Sequence, residues 1–348
     1  MSRFTQLHVL TFYPPSNLNR DDLGRPKTAQ VGGTNRLRIS SQCLKRAWRT
    51  SDLFQEALAG HLGVRTRKIA TSWVMPILEE QGIDEKKAKE WAQHFTKTFS
   101  NIKKGDLDTP QLVHYSPEEK AAVLALARTC AEQKRPPTDD ELHALRGAPH
   151  AADIAMFGRM LADHPSQNCE AAVQVAHAIS VNKVAVEDDF FTAVDDLNRR
   201  EDTGAGHLDE LGFGSGLYYL YVNINRDQLV SNLGDDADLA SHSLRALVAS
   251  IAKVSPGGKQ NSFAALGLAS YILAEHEDQS PRSLAMAFIK DIRDSDQSNI
   301  LANAVDAMRT MRSNLADCYE VGAGRAMEFY PAAGEGRFGE LLDFVSEG

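Results

Sequence analysis

Residues 217–224 read LYYLYVNI, eight consecutive positions dominated by aromatic and β-branched side chains and entered through Gly212, Gly214 and Gly216. This is the most strand-like run in the chain, and the neighbouring elements order themselves around it. Downstream, residues 235–254 form an amphipathic helical pattern, SPGGKQN (255–261) reads as a turn, and SFAALGLASYIL (262–273) reads as a strand. Two further helices are expected near 281–291 and 296–318. Upstream, residues 186–216 are acidic and carry the Gly and Asp of an extended hairpin or flap. Before them CEAAVQVAHAI (169–179) reads as a short helix and AADIAMFGRMLA (151–162) as a strand.

Residues from about 65 to 148 differ in texture, with Lys/Glu-rich amphipathic helices expected over 66–81, 84–101, 117–132 and 138–146, broken by Pro110, Pro117 and Pro136-Pro137. They read as a helical insertion with its own small core. At the other end, Thr5–Phe12 is a strand, and PPSNLNRDDLGRPKTAQVGG (14–33) is a long loop of the kind that is usually functional or disordered. In RLRISSQCLKRAWR (36–49), Ser40 or Ser41 can cap a helix running to about residue 62. On a helical wheel Leu44, Ala47, Trp48, Phe54, Leu58 and Leu62 make an apolar stripe, with Gln42, Lys45, Arg46 and Arg49 opposite.

Without the insertion, the order is strand, helix, strand, strand, helix, strand. This βαββαβ pattern predicts an α+β fold of the ferredoxin-like type, which RNA recognition motifs also use.

The chain has 348 residues, 43% hydrophobic and 24% charged, which is globular rather than disordered composition. The four cysteines are scattered without a CxxC, which argues against a disulfide framework or zinc site and fits a reducing compartment. The sequence has no apolar run of membrane-spanning length, and its start is a poor signal peptide, so a cytoplasmic protein is expected.

The net charge of -9 argues at first against nucleic acid. Its distribution does not. Residues 1–50 hold nine basic side chains (Arg3, Arg20, Arg25, Lys27, Arg36, Arg38, Lys45, Arg46, Arg49) against two acids, Asp21 and Asp22. One end of the sequence is therefore strongly basic within an acidic protein.

Several motifs fail on context. GEGRFG (334–339) matches a dinucleotide fingerprint but has only nine residues after it, too few for the helix and acid that such a site needs. SPGGKQN lacks the first Gly and the Ser/Thr of a phosphate-binding loop, and Ser215 in GFGSG precedes a strand rather than following one. His177, inside an Ala/Val stretch, reads as a packed core residue. Tyr218, Tyr219 and Tyr221 could stack bases, but an aromatic strand more often packs a core. Asp21 and Asp22 could hold a divalent metal for RNA cleavage, although two acids among nine basic residues more often form structural ion pairs.

The basic loop and helix make the better site. A helix N-terminus bearing Ser40 and Ser41 offers N–H groups and hydroxyls to an anion. Gln42, Lys45, Arg46 and Arg49 extend that surface, and Arg20 and Lys27 approach it from the loop. Such chemistry holds phosphates and has little with which to read a base edge.

These residues also carry a resemblance. NLNRDDLGRPKTAQVGG followed by RLRISSQCLKRAWR resembles the N-terminal signature of the CasC family, the crRNA-binding backbone subunit of the type I-E CRISPR Cascade surveillance complex. The likeness continues through DIAMFGRM, VQVAHAIS, DDFFTAVDDL, SGLYYLYVNIN and PGGKQNSFAA, in the family's order. It implies a hand-shaped subunit: a modified ferredoxin-like/RRM palm, a helical insertion as fingers, and an extended hairpin as thumb. The corresponding bounds are 1–62 and 150–186 for the palm, 63–149 for the fingers, 187–216 for the thumb, and 217–348 for the rest of the palm and the C-terminal helices.

By the same resemblance, Arg20, Lys27, Ser40, Gln42, Lys45 and Arg49 line the groove for the RNA backbone, joined here by Arg38, Arg46 and Lys259, Gln260 and Asn261 of the PGGKQN turn. Met160 wedges against a base, and Phe190, Phe191 and Val194 lie at the thumb, where a guide nucleotide is displaced. The implied partners are CRISPR guide RNA, target DNA paired through the guide, other copies of the chain and other Cascade subunits, without membrane, cofactor, metal or catalysis. Copies would stack head to tail into a filament, leaving sequence recognition to base pairing. The acidic residues Glu187, Asp188, Asp189, Asp195 and Asp196 could dock on a neighbouring copy. Two rivals are a metal-dependent ribonuclease using Asp21/Asp22 and an oligomer that binds no nucleic acid.

Overall fold

A computed structural model of the protein describes residues 2–103, 105–145, 147, 150–192, 208–294, 299–320 and 324–347. The chain forms two compact units, one from residues 1–54, 175–224 and 244–348, the other from residues 55–174 and 225–243.

The first unit is built on a sheet. Its strands are β1 (Phe4–Ser16), β2 (Thr28–Val31), β3 (Thr34–Ile39), β4 (Ala178–Ser180), β5 (Glu187–Thr192), β6 (Leu208–Asn225), β7 (Ala269–Glu277) and β8 (Arg325–Phe329). They lie in the order β8-β7-β1-β6-β4-β3-β2, and β5 pairs with β6 as an antiparallel hairpin. The helices that matter here are α1 (Ser41–Arg49), α2 (Ala237–Lys253), α3 (Ile300–Cys318) and α4 (Phe338–Glu347). Within the sheet β1, α1, β4, β6, α2 and β7 trace βαββαβ. Their order β7-β1-β6-β4 interleaves the two βαβ halves, as the ferredoxin-like arrangement requires.

Both faces of the sheet are covered, which explains why β1 is buried continuously from Thr5 to Leu10 instead of alternating. On one side Leu44 and Trp48 of α1 and Ile251 of α2 meet Tyr13, Ile39, Tyr218 and Leu220. On the other, Ala304, Val305 and Met308 of α3 pack with Leu10, Leu217, Tyr219, Tyr271 and Leu273. Tyr218 and Tyr219 are thus core residues, and the half-buried Tyr221 donates its hydroxyl to Gln6 Oε1 at 2.6 Å.

The second unit is mainly helical. Glu85–Phe99 and Pro117–Gln133 pack through Trp91, Phe95, Phe99, Val123 and Ala127 onto Val74 and Leu78. Pro117 does not break its helix but starts it, at the first-turn position where its missing N–H costs nothing, inside a Ser116–Glu119 capping box. The helix expected from residue 66 begins later, as a π-helical turn Ala70–Val74 running into Met75–Glu80, because Val64–Thr66 pairs with Val113–Tyr115.

Other expectations fail for identifiable reasons. The segment expected as a strand at 151–162 is the helix Ala152–Phe157, and the segment expected as a helix at 169–179 contributes the strand residues Val173–Val175 and the start of β4. Alanine-rich ADIAMF has the stronger helix propensity, and β-branched VQV the stronger strand propensity. The helix drawn to residue 62 stops at Arg49. There the Thr50 hydroxyl donates to Arg46 O at 2.8 Å and the Ser51 hydroxyl to Trp48 O at 2.8 Å, and a separate turn begins at Asp52. The long loop holds β2 and one side of a hairpin with β3. The strand drawn over 262–273 starts only at Ala269, and the helix near 281–291 is a 3-10 turn, Ala285–Phe288.

Candidate nucleic-acid interface

The loop before β2 is closed by its own polar side chains. Asp21 Oδ1 accepts N–H groups from Leu23 at 3.0 Å and Arg25 at 2.9 Å, around Gly24 at φ +81°. Asn17 Nδ2 donates to Gly24 O at 2.9 Å and to Gly212 O of β6 at 2.8 Å. Lys27 N donates to Asn19 O at 2.8 Å. An Asn/Asp-rich stretch serves this purpose well, because each short side chain substitutes for a missing turn hydrogen bond. Arg20 is thereby displayed, exposed, from a fixed base.

Helix α1 faces that loop. Ser40 caps it, its hydroxyl oxygen accepting Cys43 N at 3.4 Å, while Ser40 N donates to Asn19 Oδ1 at 3.0 Å. Ser40 is consequently buried and serves the helix rather than standing out from it. Gln42 and Arg46 are exposed on the outer face, with Lys45 and Arg49 half-buried beside them. Burial lowers the Lys45 pKa from its ordinary value. Arg46 and Arg49 fall in the last turn, where positive charge favours the helix dipole.

Loop and helix flank a groove of about 570 Å³ lined by Leu18, Arg20, Arg46, Thr50 and the backbone of Gly257-Gly258. A Cβ on Gly258 would lie 2.2 Å from Leu18 O, so only glycine lets the 255–261 turn approach this closely. The Cys43 thiol lines the groove, and its pKa is raised by burial, with the charges of Lys27 and Arg20 acting against that shift.

Of the turn residues, Lys259 and Asn261 are exposed. Gln260 instead spends its amide on Pro256 O at 2.8 Å and Ala265 O at 3.2 Å, bracing the turn. Arg38, at the end of β3, contacts Thr28 O at 3.4 Å through Nε and His177 Nδ1 at 3.3 Å through Nη1. Contrary to expectation His177 is exposed, because residues 176–177 link two short strands and are not part of a packed helix.

Arg36 and Arg25, two of the nine basic side chains, are engaged elsewhere in the chain. Arg36 is fully buried, its guanidinium donating to Thr34 Oγ1 at 2.7 Å, Ser180 O at 3.1 Å, Val181 O at 2.5 Å and Phe288 O at 3.3 Å. Arg25 pairs with Asp188 of β5 at 2.9 Å. Asp188 is thus engaged within its own chain, and Asp195 and Asp196 lie outside the described residues.

Phe190, opposite Glu210 in the β5–β6 hairpin, is 61% exposed. The Phe191 backbone continues β5 opposite Asp209, and Val194 lies outside the described residues. Met160 belongs to the second unit and is 77% exposed between two fixed neighbours. Arg159 is buried against Glu119, and Leu161 N donates to Asn168 Oδ1 at 2.6 Å. Among the described residues no group of three or more His, Cys, Asp or Glu side chains is placed to hold a metal ion, and Asp21 is occupied by its own turn.

The groove offers the guanidinium groups of Arg20 and Arg46 and closely approachable glycine backbone beside the Asp21 carboxylate, with no aromatic face among its lining residues. It can hold a polyanion by its charge and backbone shape. Sequence reasoning missed the exposure of His177; the signal available was that a His flanked by β-branched and small residues can sit at a strand end.

A family model described as CT1975-like protein matches residues 5–337. A chain from a solved "CRISPR RNA-guided surveillance complex, pre-nicking" is 30% identical, with a TM-score of 0.84 and 99% of each chain covered. A chain from a "CRISPR RNA-guided surveillance complex" shares the fold at 24% identity and a TM-score of 0.71, again over 99% of each chain. No curated protein matches the sequence.

Proposed function

Since the chain belongs to the CT1975-like protein family, we propose that it is an RNA-binding subunit of a CRISPR RNA-guided surveillance complex, gripping guide RNA by its backbone. The observation that carries this is the groove of about 570 Å³ that joins Arg20, Arg46 and the Gly257-Gly258 backbone on one side of the first unit. A subunit that must hold any guide needs contacts indifferent to base identity, and this lining supplies them.

Copies stacked head to tail along the guide would present it for pairing with target DNA. The sheet unit is the palm, the insertion the fingers, and the β5–β6 hairpin the thumb. Met160 and Phe190, both prominently exposed, suit contacts with bases, and Lys45, Arg49, Gln42, Lys259 and Asn261 extend the backbone contacts. The subunit is non-catalytic in this reading. Asp21 Oδ1 accepts two backbone N–H groups and so serves the loop, and among the described residues Asp21 and Asp22 belong to no group of three or more His, Cys, Asp or Glu that could hold a metal ion. No helix among the described residues is long and apolar enough to cross a membrane, in keeping with a cytoplasmic complex.

The test is binding of the full chain to single-stranded RNAs of several sequences. With about five cationic contacts, log K should fall with log salt at a slope of about −3.5. Arg20→Ala with Arg46→Ala should reduce that slope by about 1.4 and weaken all sequences alike. Loss confined to some sequences, or no RNA bound, would overturn the reading. Magnesium-dependent cleavage of complementary RNA that is abolished by Asp22→Ala would favour the ribonuclease instead.

A further inference from the structure

Strands β3 and β4 pair so that Arg38 lies opposite Ile179 and Ile39 opposite Ala178. Ile39 and Ala178 are buried. His177, two residues before Ile179, therefore shares the face of Arg38 as its diagonal neighbour, close enough for a long side chain to bridge. The Arg38 guanidinium closes that distance, with Nη1 3.3 Å from His177 Nδ1.

A guanidinium can only donate hydrogen bonds, so Nδ1 must be the acceptor. The imidazole is then neutral, with its hydrogen on Nε2, and it belongs to an exposed residue. Among the described residues, the charges acting on it are Arg38 of β3 and Lys27 just ahead of β2. Burial first, then these two cations, hold its pKa below the ordinary histidine value. An exposed imidazole beside Arg38 and Lys27 can respond to an anion. A negative charge seated there offsets the part of the shift that these two cations cause.

We propose that Arg38 and His177 together bind a phosphate of the RNA backbone, and that seating the phosphate is coupled to uptake of one proton by His177. The proposal rests on the RNA-holding function and adds a contact and a proton linkage to it. The proton comes from solvent and adds to Nδ1. The Arg38–His177 hydrogen bond is given up, and both cations then donate to phosphate oxygens. Because the bound state takes up a proton that the free state lacks, affinity rises as pH falls through the window between the two pKa values.

The experiment measures Kd for a single-stranded RNA at fixed ionic strength from pH 8 to pH 5.5, with the unmodified chain, His177→Gln and Arg38→Gln. The unmodified chain should tighten by about threefold to tenfold over this range, one proton allowing at most about tenfold per pH unit. Glutamine offers an acceptor to Arg38 but does not titrate, so His177→Gln should flatten the dependence and fall behind the unmodified chain at low pH. Arg38→Gln should weaken binding at every pH. An unaltered pH slope in His177→Gln, or no pH dependence in the unmodified chain, would overturn the proposal while leaving RNA binding intact. An absence of RNA binding at every pH would instead remove the function on which it rests.

Discussion

The side-chain carbonyl of Asn19 accepts the backbone N–H of Ser40 at 3.0 Å, joining the basic loop to the cap of the basic helix across 21 residues of chain. Ser40 needs its own hydroxyl for Cys43 N, so the two contacts together fix where the helix begins. Arg20 and Arg46 line one groove because of this tie. Asn19→Ala should cost about 1 kcal/mol, the usual worth of one such hydrogen bond, and should weaken RNA binding more than its neutral charge would suggest. Denaturant midpoints and RNA titrations on the same variant check both effects.

Gly258→Ala tests the floor of the groove. The added methyl would lie 2.2 Å from Leu18 O and 2.8 Å from Asn17 O, both backbone atoms that cannot swing aside. A loss of about 1–3 kcal/mol is expected, as for overpacked sites, together with weaker RNA binding. Gly257→Ala meets nothing within 4 Å and is the matched control.

In the second unit Arg159 and Glu119 form an ion pair at 2.7 Å with side chains 1% and 2% exposed. Glu119→Gln leaves a buried guanidinium without its counter-charge, and a loss of about 3–5 kcal/mol is expected. Arg159→Met combined with Glu119→Leu should be less damaging than Glu119→Gln alone, because no unpaired charge remains. Urea unfolding followed through Trp73 and Trp91, which report on this unit, distinguishes the two.

Acid should unfold the sheet unit earlier than its surface charge suggests. Burial alone would raise the Glu275 pKa, but hydrogen bonding from His8 and Arg312 and the charges of His8 and Arg282 outweigh it and hold the carboxyl at about 2. The fully buried His8 is shifted below its ordinary value, chiefly by burial. Both shifts act in one direction. The unfolded chain takes up a proton at His8 below about pH 6.5 and at Glu275 below about pH 4.5, each before the folded chain does. Stability is therefore full near neutrality and falls as pH drops through 6.5 and on towards 2. Arg312→Ala removes the 2.6 Å contact to Glu275 Oε1 and should move the acid midpoint upward. Circular dichroism across a pH series measures it.

The legible parts of the sequence were those written locally. The α1 wheel placed Leu44 and Trp48 inward and Gln42 and Arg46 outward, as they are, because helical periodicity is a property of consecutive residues. The helices at 85–99 and 117–133 were likewise visible from amphipathic spacing, although Pro117 starts the second rather than interrupting it. The second strand of the ferredoxin-like sheet was misplaced because β4 has only three residues, Ala178–Ser180. A strand that short carries almost no pattern, and its neighbours across the sheet determine it.

By itself, the sequence determined the α+β class and the concentration of positive charge in the first fifty residues. Tertiary structure alone decided which of those charges are available. Arg36 is withdrawn into the core by carbonyls of residues 180, 181 and 288, and Arg25 is taken by Asp188. His177 is brought out beside Arg38 by the pairing of β3 with β4. Charge is a property of a residue, but its availability depends on contacts more than a hundred positions away, and those exist only once the chain has folded.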